Sequence, residues 1–466
     1  MSLRFFFRTS FWVVVCFVGQ IGAAELPIEI RSAIDALVTR TLAESLVPSA
    51  SIAIVKDGQI AYAKAYGLAR LEPAVPATES MRYKIASNSK QMTAAAILRL
   101  VEMRKLSLDD TVAGFFPELT RARDITVRQL LSHTSGYADY YAPDYLLPYT
   151  ELPVTPRQIM QRWATQPLDF EPGTRYEYSN TGYVILGQMI EKRSGQSLFA
   201  FLRSQFFDRL AMRSVVDVDT DAWSPTDPQG YTRYALGPAR PVKPEGPGWM
   251  SAMGELAMTA SDLARWNIAL ADGKLLSAAS LRSLTLAVPL RDGTNPRYAL
   301  GLGVSQTRNG HRRWAHSGTA SGFLSININF PDDGVAITVL TNGDGKARSA
   351  IASQLEKLLM EPIRNPFAPA ALERANALLT GLQKGSYERE WVTDDLAGYF
   401  TPQVLSDFST TLGPLGPLTN MQEVSSGNRG GMAWRTYTVN TATQKLSVET
   451  YFMADGRLHQ FLVFPN

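Results

Sequence analysis

Between residues 85 and 100 the chain passes from Ile85-Ala86 through Ser87-Asn88-Ser89-Lys90 into an apolar helical stretch, Met92–Leu100. A helix this rich in Ala, Ile and Leu belongs in a core, not on a solvated face. Burying it takes Lys90 along, and that is the tightest constraint the sequence places on the fold. Ser87 and Lys90 are three residues apart, so on one helical face hydroxyl and amine can meet. A serine hydroxyl is a weak nucleophile until a base takes its proton. Desolvation disfavours the charged form of lysine, which makes a buried lysine such a base. A serine at the mouth of a helix also sits where the helix N-terminus favours an oxyanion. The tetrapeptide alone reads more simply as an N-cap serine and a solvated lysine. Two observations count against that: no other lysine has a serine three residues before it, and the helix that follows is apolar.

Composition bounds the class. The 466 residues are 45% hydrophobic and 19% charged, an ordinary folded chain with room for two or three domains. Residues 1–24 read as a cleaved secretory signal. Arg4 and Arg8 form its basic end, Phe11–Ile21 its apolar core, and Gly22-Ala23-Ala24 precede the cut before Glu25. A membrane anchor is the competing reading, but the apolar run is too short to span. No other transmembrane candidate is present. The net charge of +3 falls by two, to +1, without Arg4 and Arg8, and no basic run suggests nucleic acid as a partner. Cys16, the only cysteine, lies in the leader, and Val13-Val14-Val15 lacks the small residue that precedes a lipidated cysteine. The mature chain then has no thiol, which suits a periplasmic or secreted protein. Four scattered histidines form no recognisable metal set, so a metallohydrolase is disfavoured and no cofactor is expected.

Ser51–Val55 and Ile60–Ala65 flank Lys56-Asp57-Gly58-Gln59, a hairpin signal. Thr126 with Gln129 forms a capping box for a helix stopping at Gly136. His133, near that helix's end, reads as structural rather than catalytic. The next stretch holds Tyr137, Tyr140, Tyr141, Tyr145 and Tyr149 with Pro143 and Pro148; a packed surface loop and an aromatic cleft wall are equally good readings. Val184–Ile190 continues as an apolar helix. Gly246–Gly254 is a glycine-rich loop without a phosphate-loop lysine and could line a cleft. Thr259 with Asp262 caps the helix Leu263–Leu270. Tyr298–Val304, Trp314–His316, Phe323–Phe330 and Val335–Leu340 read as strands, and Ala347–Met360 as a closing helix. The first and last of these parts should share one antiparallel sheet. Beyond the break at Pro362–Pro369, Ala370–Gln383 and part of Leu396–Leu412 read as helical. Three strands follow, near Met432–Val439, Lys445–Met453 and Leu458–Phe464. The domains expected are the signal 1–24, a hydrolase domain 25–365 and a small α+β domain 366–466.

Ser87-x-x-Lys90, Tyr178-Ser179-Asn180 and His316-Ser317-Gly318, together with Leu130–Gly136, occur in this order over roughly residues 30–360. In these motifs the chain resembles the serine β-lactamase and penicillin-binding-protein superfamily, in its class C-like branch. The resemblance implies an α+β fold: an antiparallel sheet flanked by helices, an all-helical subdomain, and the active site at their junction. It implies Ser87 as acylated nucleophile, Lys90 as the lysine sharing its proton, and Tyr178 as proton shuttle. Asn180 would hold lysine and substrate, His316 and Gly318 the substrate strand, and the amides of Ser87 and Thr319 the oxyanion. The residue chemistry agrees, since a phenol needs a nearby cation to act as a base. Standing alone, Tyr178 could be a satisfied core tyrosine and Asn180 a turn residue.

Efficient β-lactamases carry Lys-Thr-Gly where this chain has His316-Ser317-Gly318. Histidine is only partly charged at neutral pH, so strong β-lactam hydrolysis is not expected. The expectation is a serine hydrolase for a small-molecule or peptide acyl substrate, an ester or an amide near D-amino acids. The alternatives are a β-lactamase or D,D-carboxypeptidase, and a penicillin-binding sensor that acylates without turnover. The tail resembles small nuclear-transport-factor-like domains, which implies an accessory role.

Overall fold

The computed structural model describes residues 25–141, 147–307, 310–360, 368–429, 432–453 and 455–465. The leader 1–24, Pro143, Tyr145 and the break at 362–367 lie outside them. Asp57 and Gly58 both have positive φ, 52° and 73°, the geometry of a two-residue hairpin turn between Ser49–Lys56 and Gln59–Arg70. Ser49–Lys56 is apolar on both faces and lies mid-sheet. Its other neighbour is Val335–Thr341, with Ala50 opposite Thr341 and Ile54 opposite Ile337. Phe323–Phe330, Arg312–Ala320 and Gly303–Gln306 continue the sheet on that side; Val75–Pro76 closes the other edge. The two ends of the first domain therefore share one antiparallel sheet, as the alternating strand pattern implies.

Alternation along Ser49–Lys56 sends side chains to two cores. Ile52 and Ile54 pack with Ile34 and Val38 of the helix Ile28–Ser45 and with Ile351 and Leu355 of Ala347–Leu359. Ala53 and Val55 face the larger core, which holds Trp266 of the helix Ala260–Ala271 and the helix Lys90–Glu102. Around Lys90–Glu102 pack Asn180–Ser194 and Leu198–Leu202, while Val127–Leu131 and Pro156–Trp163 pack on Asn180–Ser194. This helical layer meets the sheet at Ser87.

Several local expectations change. The helix after the Thr126 capping box ends at Leu131, five residues before Gly136, because His133 takes a φ of 57°. Thr259 accepts from the Asp262 N–H, but the Asp262 carboxylate turns to Ser214 and Arg265, so only half of that capping box exists. Of the strand expected over Tyr298–Val304, only Gly303 and Val304 lie in a strand, and Tyr298 makes a single bridge to Gly303. Tyr137 and Tyr140 of the tyrosine-rich stretch are buried, and Tyr140, Tyr149, Trp163 and Trp249 stack together, so its described part is packed. The tail has four antiparallel strands, not three. Thr419–Arg429 precedes Met432–Asn440, Lys445–Phe452 and Leu458–Pro465. They enclose a core of their own, with Leu379, Tyr437, Val448 and Phe461.

Candidate active site

Ser87 is not the cap of its helix. The α-helix begins at Lys90 with Ser89 as N-cap, and Ser87 lies in a preceding 3₁₀ turn, Ala86–Ser89. Ala86 has a φ of 49°, left-handed backbone that a residue with a Cβ adopts at a cost. The surroundings over-determine it. A Cβ on Gly318 would lie 2.2 Å from the Ile85 carbonyl oxygen and 3.1 Å from the Ala86 Cβ. Only glycine lets the strand Arg312–Ala320 come so close to the nucleophile turn.

Lys90 is fully buried. Its Nζ is 2.8 Å from Asn180 Oδ1, 2.7 Å from the Met253 carbonyl oxygen and 3.0 Å from Ser87 Oγ. The first two partners can only accept; the third can donate. An ammonium can donate to all three; a neutral amine has two N–H groups for the carbonyl oxygens and a lone pair that can accept from the Ser87 hydroxyl. Burial favours the neutral form, holding the lysine pKa well below its ordinary value against the pull of Asp139.

Asp139 is a residue the sequence did not reveal. Its carboxylate accepts from Asn180 N at 3.0 Å, Asn180 Nδ2 at 3.2 Å and Tyr141 N at 3.1 Å. A carboxylate only accepts, so the Asn180 amide must turn Nδ2 to Asp139 and Oδ1 to Lys90. Burial pushes the Asp139 carboxyl up, and these bonds and Lys90 hold it down in part.

The Tyr178 hydroxyl is buried and has no hydrogen-bond partner among the described residues, though the Ser87 hydroxyl is near enough to pull its pKa down. Burial outweighs that pull and raises the phenol, which favours the protonated Tyr178. Its ring stacks on His133 at 4.1 Å and lies 5.0 Å from Lys90 Nζ. His133, read as structural from the sequence, lies at the site itself. It is buried, and its Nδ1 accepts from Ser179 N at 3.1 Å.

His316 is half-buried, yet both ring nitrogens are engaged. Nε2 is 3.0 Å from the Tyr298 hydroxyl, and Nδ1 donates to the Ser317 carbonyl at 2.6 Å. Burial, then the neighbouring Lys90, bring its pKa down to about 4. Lys90 contributes only while charged, so the two groups compete for one positive charge. Thr319 follows Gly318 on this strand, beside the turn carrying Ser87. Ser87, Lys90, Tyr178, Asn180, His316 and Gly318 thus surround one junction. Away from it, Asp217, Asp219 and Glu255 lie within 4.8 Å of one another, a grouping their spacing hid. Glu255 accepts from Ala252 N at 2.7 Å and so supports the loop that brings Met253 to Lys90.

A mixed sheet-and-helix fold with Ser-x-x-Lys at the junction of its layers defines the serine β-lactamase and penicillin-binding-protein superfamily. Within it the chain belongs to the beta-lactamase family, whose model matches residues 34–359. It is similar to Protein flp of Staphylococcus aureus strain MW2, 30% identical over 320 residues, which are 66% of this chain. The match spans 62% of that relative's length. Among solved structures it is similar to a D-stereospecific amidohydrolase from Streptomyces sp., 27% identical with a TM-score of 0.60, covering 69% of this chain and 97% of that one. The octameric penicillin-binding protein homologue from Pyrococcus abyssi shares the fold at 22% identity and a TM-score of 0.60, covering 94% of this chain and 96% of that one.

Proposed function

We propose that the protein is an exported serine hydrolase that forms an acyl-enzyme on Ser87 and acts on esters or on amides near D-amino acids. The observation that carries this reading is the fully buried Lys90, whose Nζ lies 3.0 Å from the Ser87 hydroxyl. Ser87 Oγ gives its proton to Lys90 Nζ as the Oγ–carbon bond forms. The carbonyl π electrons move to oxygen, where the backbone N–H groups of Ser87 and Thr319 would receive them. Collapse breaks the bond to the leaving alkoxide or amine, which takes the Tyr178 proton, and the Lys90 ammonium restores it. Water then attacks the ester carbon and gives its proton back along the same groups, and the Ser87–acyl bond breaks.

The neutral His316 favours substrates that need no fixed cation, and the likeness to a D-stereospecific amidohydrolase supports the D-amino-acid side. A β-lactamase or D,D-carboxypeptidase is the second reading, supported by the family name and the penicillin-binding homologue. A sensor that acylates without release is the third. Export rests on the leader. The test is turnover by the purified protein on a short-chain nitrophenyl ester, a chromogenic cephalosporin and a D-Ala-D-Ala peptide, beside Ser87→Ala. Ser87-dependent ester hydrolysis with little cephalosporin turnover is expected; fast cephalosporin turnover would move the function to β-lactamase.

A further inference from the structure

Tyr298 lies outside every motif, yet its hydroxyl joins two of them. It is 3.2 Å from His133 Nε2 and 3.0 Å from His316 Nε2. The partners at either end set the direction of the chain. His133 Nδ1 accepts from the Ser179 N–H, so its Nε2 carries the proton and donates to Tyr298. Tyr298 is then left to donate its own proton to His316 Nε2. His316 carries its proton on Nδ1 and donates it to the Ser317 carbonyl. Every donor is used once, and both imidazoles are neutral. A second proton on His316 Nε2 would meet the Tyr298 proton head on. Tyr298 could escape only by turning to the nearby Tyr183 hydroxyl, because the His133 nitrogen on its other side already carries hydrogen.

We propose that Tyr298 is a specificity-determining residue: by donating to His316 it favours the neutral imidazole, so that the site selects acyl substrates with no carboxylate beside the scissile bond. The inference rests on the serine hydrolase reading and narrows its substrate class. The groups facing His316 agree with it. Lys90 faces it from the nucleophile helix, Tyr178 from the stretch before Asn180–Ser194, and Tyr298 from beside Gly303–Gln306. A cavity of about 10 Å³ on its remaining side is lined by uncharged groups that include Gln91, Asn267, Asn327 and Asn329. None of these neighbours is a carboxylate that would stabilise an imidazolium.

The test uses one thioester in two forms, with a free carboxylate on the leaving group and with that carboxylate capped as a methylamide. Wild type should prefer the capped form by about tenfold or more in kcat/KM from about pH 5 to 8. Tyr298→Phe removes the hydrogen bond to neutral His316 and should raise its pKa by about one unit. The preference should then fall at least about threefold near pH 5. In wild type alone, ¹⁵N shifts should show His316 protonated at Nδ1 and bare at Nε2, with no titration near the usual imidazole value. A His316 that titrates there, or a preference identical in both proteins at every pH, overturns the inference. Turnover that survives Ser87→Ala would instead bring down the underlying serine hydrolase reading.

Discussion

Lys90 is fully buried and held by two carbonyl oxygens and one hydroxyl. In the proposed mechanism Lys90 is the base that takes the Ser87 proton. Lys90→Ala and Tyr178→Phe should each lower kcat by about a hundredfold or more while the protein stays folded, because each removes a proton-transfer group. Asp139 should act through its neighbours. Its negative charge favours the charged form of Lys90, so Asp139→Asn should lower the lysine pKa further. Lys90 works unprotonated, so the acid limb of kcat/KM should move to lower pH. The plateau should also drop, by roughly tenfold, as the Asn180 amide loses the acceptor that fixes it. A pH profile of the variant that overlays the wild type would contradict this. Ser87 and Lys90 drew notice by their spacing, and Tyr178, Asn180 and His316 through the resemblance that their motifs and order carry. Asp139 and Tyr298 did not, because their contacts join residues 41 and 18 positions away, and nothing local marks them.

At the level of elements, the features with a local cause were readable. Asp57-Gly58 fixes its hairpin, and Thr126 with Gln129 closes a complete capping box. The strand Thr419–Arg429 was missed because its residues, mostly polar, show no alternation; its pairing with Met432–Asn440 supplies the order. The helix Ile28–Ser45 does carry a stripe, Ile34, Leu37, Val38 and Leu42, and went unread. The carboxyl trio is a tertiary feature with a consequence for stability. Burial and then Asp217 raise the Asp219 pKa from 3.8 to about 7. A raised acid favours the folded state below its unfolded pKa, and that contribution is lost progressively as pH rises from about 4 to about 7. Asp219→Asn should therefore match wild type near pH 4 and be more stable near pH 8, by roughly 1–3 kcal/mol. Thermal melts at the two pH values check it; equal pH dependence in both proteins would refute it.

For the whole molecule, the main sheet gathers its strands from both ends of the first 360 residues, so the site forms only when distant segments pair. The tail instead closes a core of its own. A chain ending at Asn365 should fold and keep Ser87-dependent turnover, with a changed KM or oligomeric state if the tail governs substrate access or subunit contact. Kinetics and mass in solution both unchanged would argue against an accessory role. The central claim is the covalent step on Ser87. Its most direct test is the mass of the full-length protein quenched during ester turnover. An adduct of the acyl group's mass, mapped to the peptide bearing Ser87 and decaying as substrate is consumed, is the predicted result. No adduct, with Ser87→Ala turning over as fast as wild type, would contradict the account.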